Sequence, residues 1–318
     1  MADVLQAREV IATYLQPTPL LTSSSLDARL GFSAFVKCEN LQPIGAFKVR
    51  GGLFLMSQLT PDERVRGVVT ASTGNHGQAV AYAARDLGVP ATIWAPENAN
   101  ALKVGAMRSL GAEVRLYGAD FDAARVAAAE DAAEKGAVFI SSANDWRLIA
   151  GVATYTVEIL EAVPDLDCLI VPAGGGSGLA GACLAGKDLK PDLRIIGVQA
   201  AGAPAVYESW RSGQLKQMDR VDTFAEGLAT RVAFSLPAQI LWRRLDDFRL
   251  VSDQDMRRSI LTLLETTRTL AEGAGAAALA AAHNMRNELA GKKVGIVVSG
   301  GNIAPDALAE TLAMEQPW

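Results

Sequence analysis

The chain has 318 residues, half of them hydrophobic, enough to bury a sizeable core and to make one large or two medium domains. Its 30 basic and 35 acidic residues are well mixed and sum to −5, leaving no basic stripe for a phosphate backbone, so nucleic acid is not an expected partner. No run approaches the roughly 20 apolar residues of a bilayer span, and Met1-Ala2-Asp3 lacks a signal-peptide layout, so no membrane association and a cytoplasmic protein are expected.

In chain order, short apolar runs alternate with longer amphipathic or small-residue runs. Strands are predicted over 34–37, 67–71, 91–95, 113–117 and 138–140, with helices over 46–57, 76–87, 100–110 and 121–135 between them. A helix over 146–162 leads to a strand at 168–171, a helix at 178–185 and a strand at 194–198. After a less regular stretch, helices over 253–271 and 274–287 precede a strand at 294–298 and a last helix from Pro305. Strands separated by helices of this length call for parallel sheets covered on both faces, an α/β architecture. The turn-rich segment 141–146 reads as a crossing between two sheets, which predicts a large domain of 1–45 plus 147–318 and a small one of 46–146, with a ligand cleft between them.

Cys38, Cys168 and Cys183 form an odd set with no CxxC pair, which predicts reduced, buried thiols. The two histidines, His76 and His283, stand too far apart in sequence for an HExxH metal site, and they leave no spare ligand beside a serine–histidine relay. His283 lies in a helical pattern and reads as a surface residue. Glu226 reads as a solvated carboxylate, and Glu272 as either a cleft carboxylate or a helix-start charge.

Four stretches carry chemistry. In Pro43-Ile44-Gly45-Ala46-Phe47-Lys48, a Pro and a Gly break the preceding strand and set Lys48 just inside a helix start. A lysine in an apolar pocket loses its proton well below its ordinary pKa of about 10.4, and the neutral amine can form a Schiff base with an aldehyde. Taken alone, Lys48 is better read as a surface lysine; the other stretches reverse that balance. Ser72-Thr73-Gly74-Asn75-His76 follows a strand and opens a helix, offering backbone N–H groups and a dipole end to an anion. Gly174-Gly175-Gly176-Ser177-Gly178 follows the strand at 168–171, and four glycines in five residues predict close backbone approach to a phosphate. Ser299-Gly300-Gly301-Asn302 follows the last strand; alone it reads equally as a tight turn. Gly176 to Gly181 also fits GxGxxG, but the next strand ends at Gln199-Ala200 with no ribose-binding carboxylate, and the loop has no P-loop lysine.

One reactive lysine with two anion cradles suits pyridoxal 5'-phosphate joined to an amino acid, which brings an aldehyde carbon, a phosphate and a carboxylate. GAFKVRGG, STGNHGQAVA, VPAGGGSGLAG and VSGGN, in this order over about residues 17–302, resemble the fold-type II pyridoxal-phosphate enzymes, specifically the serine/threonine dehydratase and serine racemase group. The resemblance implies a tryptophan synthase β-like fold of two parallel or mixed-sheet α/β domains. It implies that Lys48 carries the cofactor and moves the α-proton, and that Phe47 packs on the cofactor ring. By the same resemblance Asn75 meets the ring's phenolic oxygen, and Ser72, Thr73, Gly74, Asn75 and His76 cradle the substrate carboxylate. Gly174, Gly175, Gly176 and Ser177 would bind the phosphate, and Ser299 would face the pyridine nitrogen.

The implied reaction is β-elimination from a β-hydroxy amino acid such as L-threonine or L-serine, giving a 2-oxo acid and ammonia. A homodimer is the family's habit. Four residues depart from the pattern. Thr73 stands where racemase-like relatives have a catalytic serine; its hydroxyl could do that work, but its methyl group restricts the rotamer. Ile44 and Ala46 replace hydroxyl residues before Phe47, and Gln199 replaces the Glu through which some relatives bind a divalent cation, so no metal is expected. With the chain read to Trp318, neither a C-terminal regulatory domain nor feedback by isoleucine is expected. Two alternatives stay open: a serine racemase or a dehydratase for phenylserine or 3-hydroxyaspartate, and a pyridoxal-phosphate-binding protein without turnover.

Overall fold

The computed structural model describes residues 1–318. The chain runs α1 (Ala2–Ala12), β1 (Leu20–Leu21), α2 (Ser24–Leu30), β2 (Ser33–Cys38), α3 (Lys48–Ser57), α4 (Pro61–Arg66), β3 (Val68–Ala71), α5 (Asn75–Leu87), β4 (Ala91–Ala95), α6 (Ala101–Ser109), β5 (Glu113–Leu116), α7 (Phe121–Lys135) and β6 (Val138–Ile140). It continues through α8 (Trp146–Ala162), β7 (Cys168–Pro172), α9 (Ser177–Leu189), β8 (Arg194–Ala200), α10 (Ala205–Ser212), α11 (Ser235–Arg244), β9 (Asp247–Val251), α12 (Asp253–Thr267), α13 (Gly273–Asn284), β10 (Lys293–Val298) and α14 (Pro305–Met314). Two compact units result: a larger one of Met1, residues 16–47 and 153–318, and a smaller one of residues 2–15 and 48–152.

The smaller unit is built on a four-stranded parallel sheet in the order β5-β4-β3-β6. All four residues of β3 are buried, as a parallel strand covered on both faces requires. Local chemistry sets the helix ends. Asp120 caps α7 by accepting from the Ala123 N–H, and Gly136 ends it at φ 61°, in the left-handed region. Thr60 and Glu63 form a reciprocal capping box on α4. Helix α1 packs in this unit through Val4, Ala7 and Ile11, whereas sequence reading placed residues 1–45 with the large domain. Its apolar stripe finds its cover on α3, a tertiary choice that no local signal announces.

The larger unit has a six-stranded sheet in the order β1-β2-β10-β7-β8-β9, parallel except for the β1–β2 pair. Its core includes α13, whose residues from Gly273 to Ala282 are all buried. Alanines on every side let this helix lie deep among its neighbours, as expected of a helix that is apolar all round. Helix α12 stops at Thr267 rather than at residue 271, with Arg268 in the left-handed region at φ 57°. Thr262, Thr266 and Thr267 each donate a hydroxyl proton to the carbonyl four residues back, competition that weakens the last turns. The two-sheet α/β plan matches the sequence expectation, and α1, α2, α4, α10, α11, β1 and β9 are additions to it.

The three thiols are free and buried, and burial pushes Cys38 up to about 11, Cys168 up to about 12 and Cys183 higher still. The native protein is therefore expected to leave a thiol-exchange reagent at pH 8 unreacted for many minutes, with all three thiols reacting after denaturation. Fast labelling of any thiol in the folded protein would contradict this burial.

Candidate active site

In the smaller unit, α3 lies hard against its neighbours because two glycines permit it. A Cβ on Gly52 would stand 2.7 Å from the Ala79 carbonyl oxygen of α5, and one on Gly51 would stand 2.9 Å from the Leu148 carbonyl oxygen. That depth leaves Lys48, the first residue of α3, only partly exposed. Its Nζ donates to the carbonyl oxygen of Ser142 at 2.9 Å. Burial disfavours the ammonium and lowers the Lys48 pKa from an ordinary 10.5 to about 8, so a useful fraction of neutral amine exists near neutral pH.

The Ser72 loop leaves the carboxyl end of β3, and the 141–145 loop leaves the carboxyl end of β6, the neighbouring strand. Ser72 is buried, and its Oγ accepts from the N–H groups of Gly74 at 3.2 Å and Gly77 at 2.8 Å. Its acceptor capacity thus builds the loop, while its own proton stays available to an anion. A Cβ on Gly77 would meet the Met107 Sδ at 2.3 Å, so a larger residue there would need the methionine side chain to move. Helix α5 begins after Gly74 with no side-chain cap, so the positive end of its dipole opens on a loop whose Thr73, Gly74 and Asn75 are partly exposed. His76 is 6% exposed; burial first, and the nearby Lys48 charge second, drive its pKa down to about 3. The imidazole is neutral throughout the physiological range and is no source of imidazolium acid.

In the larger unit, the glycine loop leaves the carboxyl end of β7 and enters α9. A Cβ on Gly174 would lie 2.1 Å from the Gly227 carbonyl oxygen, and Gly176 has φ 92°, so both positions demand glycine. Gly176 caps α9 without a side-chain acceptor, and Ser177 is buried at the first helical position. Phe47 packs at the start of α9: its ring would stand 3.0 Å from a Cβ on Gly178 and makes an edge contact with Tyr155. The Tyr155 hydroxyl donates to the Gly178 carbonyl at 2.7 Å.

Ser299 is buried just past β10, the neighbour of β7. Its carbonyl accepts from the Phe47 N–H at 3.0 Å, Gly301 N–H donates to the Gly45 carbonyl at 2.9 Å, and Asn302 Nδ2 donates to the Ile44 carbonyl at 2.7 Å. The last glycine stretch therefore clamps the segment that delivers Lys48. Gly45, at φ 69°, leaves room for the Asn302 amide.

These groups fit pyridoxal phosphate. A helix N-terminus behind a loop that excludes side chains suits a phosphate dianion, a depressed amine suits an aldehyde, and a buried neutral hydroxyl at Ser299 suits a ring nitrogen without fixing a proton on it.

Several supporting residues carried no sequence signal. The Ser142 carbonyl is a backbone acceptor in a loop read only as a crossing. The buried pair Lys37–Glu158 at 2.5 Å, with Lys37 also donating to the Thr18 carbonyl, sits beside Glu39, which accepts from the Thr18 hydroxyl at 2.6 Å. This network fixes residues 37–42 ahead of Lys48, and the charged run Lys37-Cys38-Glu39 at a strand end was its only trace. Glu272 is 7% exposed at the start of α13, its N–H donating to the Gly300 carbonyl, so it is a buried helix-start charge. Glu226 is exposed; His283 is half-buried and stacks on Trp318 at 3.8 Å between ring centroids. Gln199 Oε1 accepts from the N–H groups of Val206 and Tyr207 and ties β8 to the first turn of α10.

Comparison with known proteins agrees with this chemistry. The family described as pyridoxal-phosphate dependent enzymes matches residues 11–300. An L-threonine ammonia-lyase of Thermotoga maritima is 39% identical over 303 residues, covering 95% of this chain and 75% of that protein. An L-threo-3-hydroxyaspartate ammonia-lyase of Saccharomyces cerevisiae is 39% identical over 301 residues, covering 95% of this chain and 92% of that protein. The structure of maize serine racemase superposes with a TM-score of 0.92 at 33% identity, covering 98% of this chain and 96% of that one.

Proposed function

This chain belongs to the pyridoxal-phosphate-dependent enzyme family, and we propose that it eliminates water from L-threonine or L-serine, after which water hydrolyses the released imine to the corresponding 2-oxo acid and ammonia. The enzyme is a pyridoxal-phosphate-dependent ammonia-lyase of a hydroxy amino acid. The observation that carries the reaction class is the Lys48 amine, lowered to about 8 and held by Ser142, and the choice of threonine or serine rests on the likeness to an L-threonine ammonia-lyase.

When bound, pyridoxal phosphate supplies the electron sink for the negative charge that develops at the substrate Cα. Lys48 Nζ, once free, takes the Cα proton, and its depressed pKa matches that task near neutral pH. Backbone N–H groups at the start of α5 and the Ser72 hydroxyl hold the substrate carboxylate, orienting the Cα–H bond toward the amine. The glycine loop from Gly174 to Ser177 would hold the phosphate through backbone N–H groups and the α9 dipole. Asn75 would hydrogen-bond the phenolic oxygen of the bound cofactor. Ser299 would meet the ring nitrogen with a hydroxyl, which would moderate ring protonation and favour elimination over transamination.

A second reading, 3-hydroxyaspartate as substrate, has one observation in its favour. The Lys103 Nζ lies 3.9 Å from the point a Gly74 Cβ would occupy, placing positive charge beside the loop assigned to anions. Assaying 2-oxo acid release from L-threonine, L-serine, 3-hydroxyaspartate and phenylserine separates the readings. The largest kcat/KM is expected with threonine or serine; a larger value with hydroxyaspartate would favour the second reading. Release from none of them, with the cofactor bound, would point to a binding protein without turnover.

A further inference from the structure

We propose that Thr70 and His76 are positioning residues for Lys48, acting through a hydrogen-bond relay that fixes the strand end from which the Ser142 carbonyl reaches the lysine amine. The relay rests on the reading of Lys48 as the reactive amine.

The connections lie within the smaller unit. The Thr70 hydroxyl donates to the Ile140 carbonyl at 2.7 Å, and His76 Nε2 lies 3.0 Å from Thr70 Oγ1. A hydroxyl has a single proton. Since that proton goes to Ile140, the imidazole must be the donor, which fixes the neutral tautomer with hydrogen on Nε2. The low His76 pKa agrees, because a ring kept neutral by burial retains one donor and one acceptor nitrogen. Thr70 and Ile140 are partners across the β3–β6 ladder, so the side-chain bond adds a cross-link at the last rung of the sheet.

Two residues beyond Ile140, the Ser142 carbonyl accepts the Lys48 amine at 2.9 Å. The relay therefore begins in the first turn of α5, in the loop assigned to the substrate carboxylate, and ends at the acceptor that aims the amine. Thr70 is fully buried and His76 nearly so. A buried donor or acceptor deprived of its partner forces its neighbours to move, and here they are the strand end and the loop behind it. A displacement well under 1 Å at the lysine matters, because proton transfer from carbon depends steeply on approach geometry.

The experiment compares two pairs of variants in the full-length enzyme. Thr70→Ser keeps the hydroxyl and Thr70→Val removes it at nearly constant volume. His76→Gln keeps a side-chain N–H donor at similar reach, and His76→Leu removes it. Two quantities are read for each: the rate at which cofactor-free protein captures pyridoxal phosphate, followed by visible absorbance, and kcat and KM for 2-oxo acid release. In the Val and Leu variants, capture and kcat are expected to fall roughly tenfold while KM moves by less than about threefold, and the Ser and Gln variants should recover most of the loss. Equal behaviour of the two members in both pairs would overturn the relay, whether both stay active or both lose activity. Loss confined to KM would overturn it too. Borohydride trapping on the wild type is the separate control: a pyridoxyl group found away from Lys48 refutes the underlying assignment, whatever the variants do.

Discussion

Lys48→Ala is expected to lose the visible absorption of bound cofactor and to lower turnover by about 10³-fold or more, with the fold retained. No other amine shares its position: Nζ sits on the Ser142 carbonyl at the head of α3, and α3 is held by backbone contacts at Gly51 and Gly52 that the substitution does not touch. The pH dependence follows from the same burial. Capture of pyridoxal phosphate by the cofactor-free protein needs the neutral amine, so its rate should rise with pH and level off above about 8, not near 10.5.

Stability carries the opposite face of this arrangement. Between pH 8 and 10.5 the folded protein holds fewer protons at Lys48 than the unfolded chain, so stability contributed there rises with pH, and below pH 8 the buried ammonium costs at most about 3 kcal/mol. Lys48→Met should therefore raise the Tm of the cofactor-free protein by a few degrees at pH 7, the gain fading as the pH passes through that window. Wild-type turnover in Lys48→Ala, or a capture profile with its midpoint near 10.5, would refute the role given to this side chain.

Gly174→Ala is the second large effect. The new methyl would lie 2.1 Å from the Gly227 carbonyl oxygen, a main-chain atom that cannot swing aside as a flexible side chain can. The glycine loop or the segment over it must move. The expected outcome is a loss of roughly 2–3 kcal/mol in stability, in the range of overpacked cores, together with at least tenfold weaker binding of pyridoxal phosphate by absorbance titration. Gly105→Ala is the matched control. It lies inside α6 with open space around it, and alanine should be neutral or stabilising by up to about 1 kcal/mol through helix propensity. An unchanged Tm and unchanged cofactor affinity in Gly174→Ala would mean that the loop is not the tight cradle described.

Much of the regular β–α alternation was legible in the sequence. Strands 91–95 and 138–140 and helices 121–135 and 146–162 follow from periodicity and from Gly and Asp signals at their ends, and the observed bounds agree with those ranges. The glycine loop was legible as well, since clustered glycines are costly unless the backbone must approach something. Helices α2 and α4 escaped despite local caps, Ser23 with Gly31 and the Thr60–Glu63 box, and other features escaped because they are non-local. Helix α1 has apolar residues but no local feature naming α3 as its partner, and the 141–145 loop looked like a connection because its useful group is a main-chain carbonyl, which every residue possesses.

The amino-acid sequence by itself determined the chemistry available to this protein: a lysine at a helix start, two uncapped helix entries behind small residues, and a β–α alternation that sends those entries to the carboxyl ends of parallel strands. Only the tertiary structure decided how that lysine behaves. Its lowered pKa, its hydrogen bond to Ser142 and the neutral state of His76 all arise from burial among segments distant in sequence, and desolvation is a property of the packed neighbourhood that no residue carries alone.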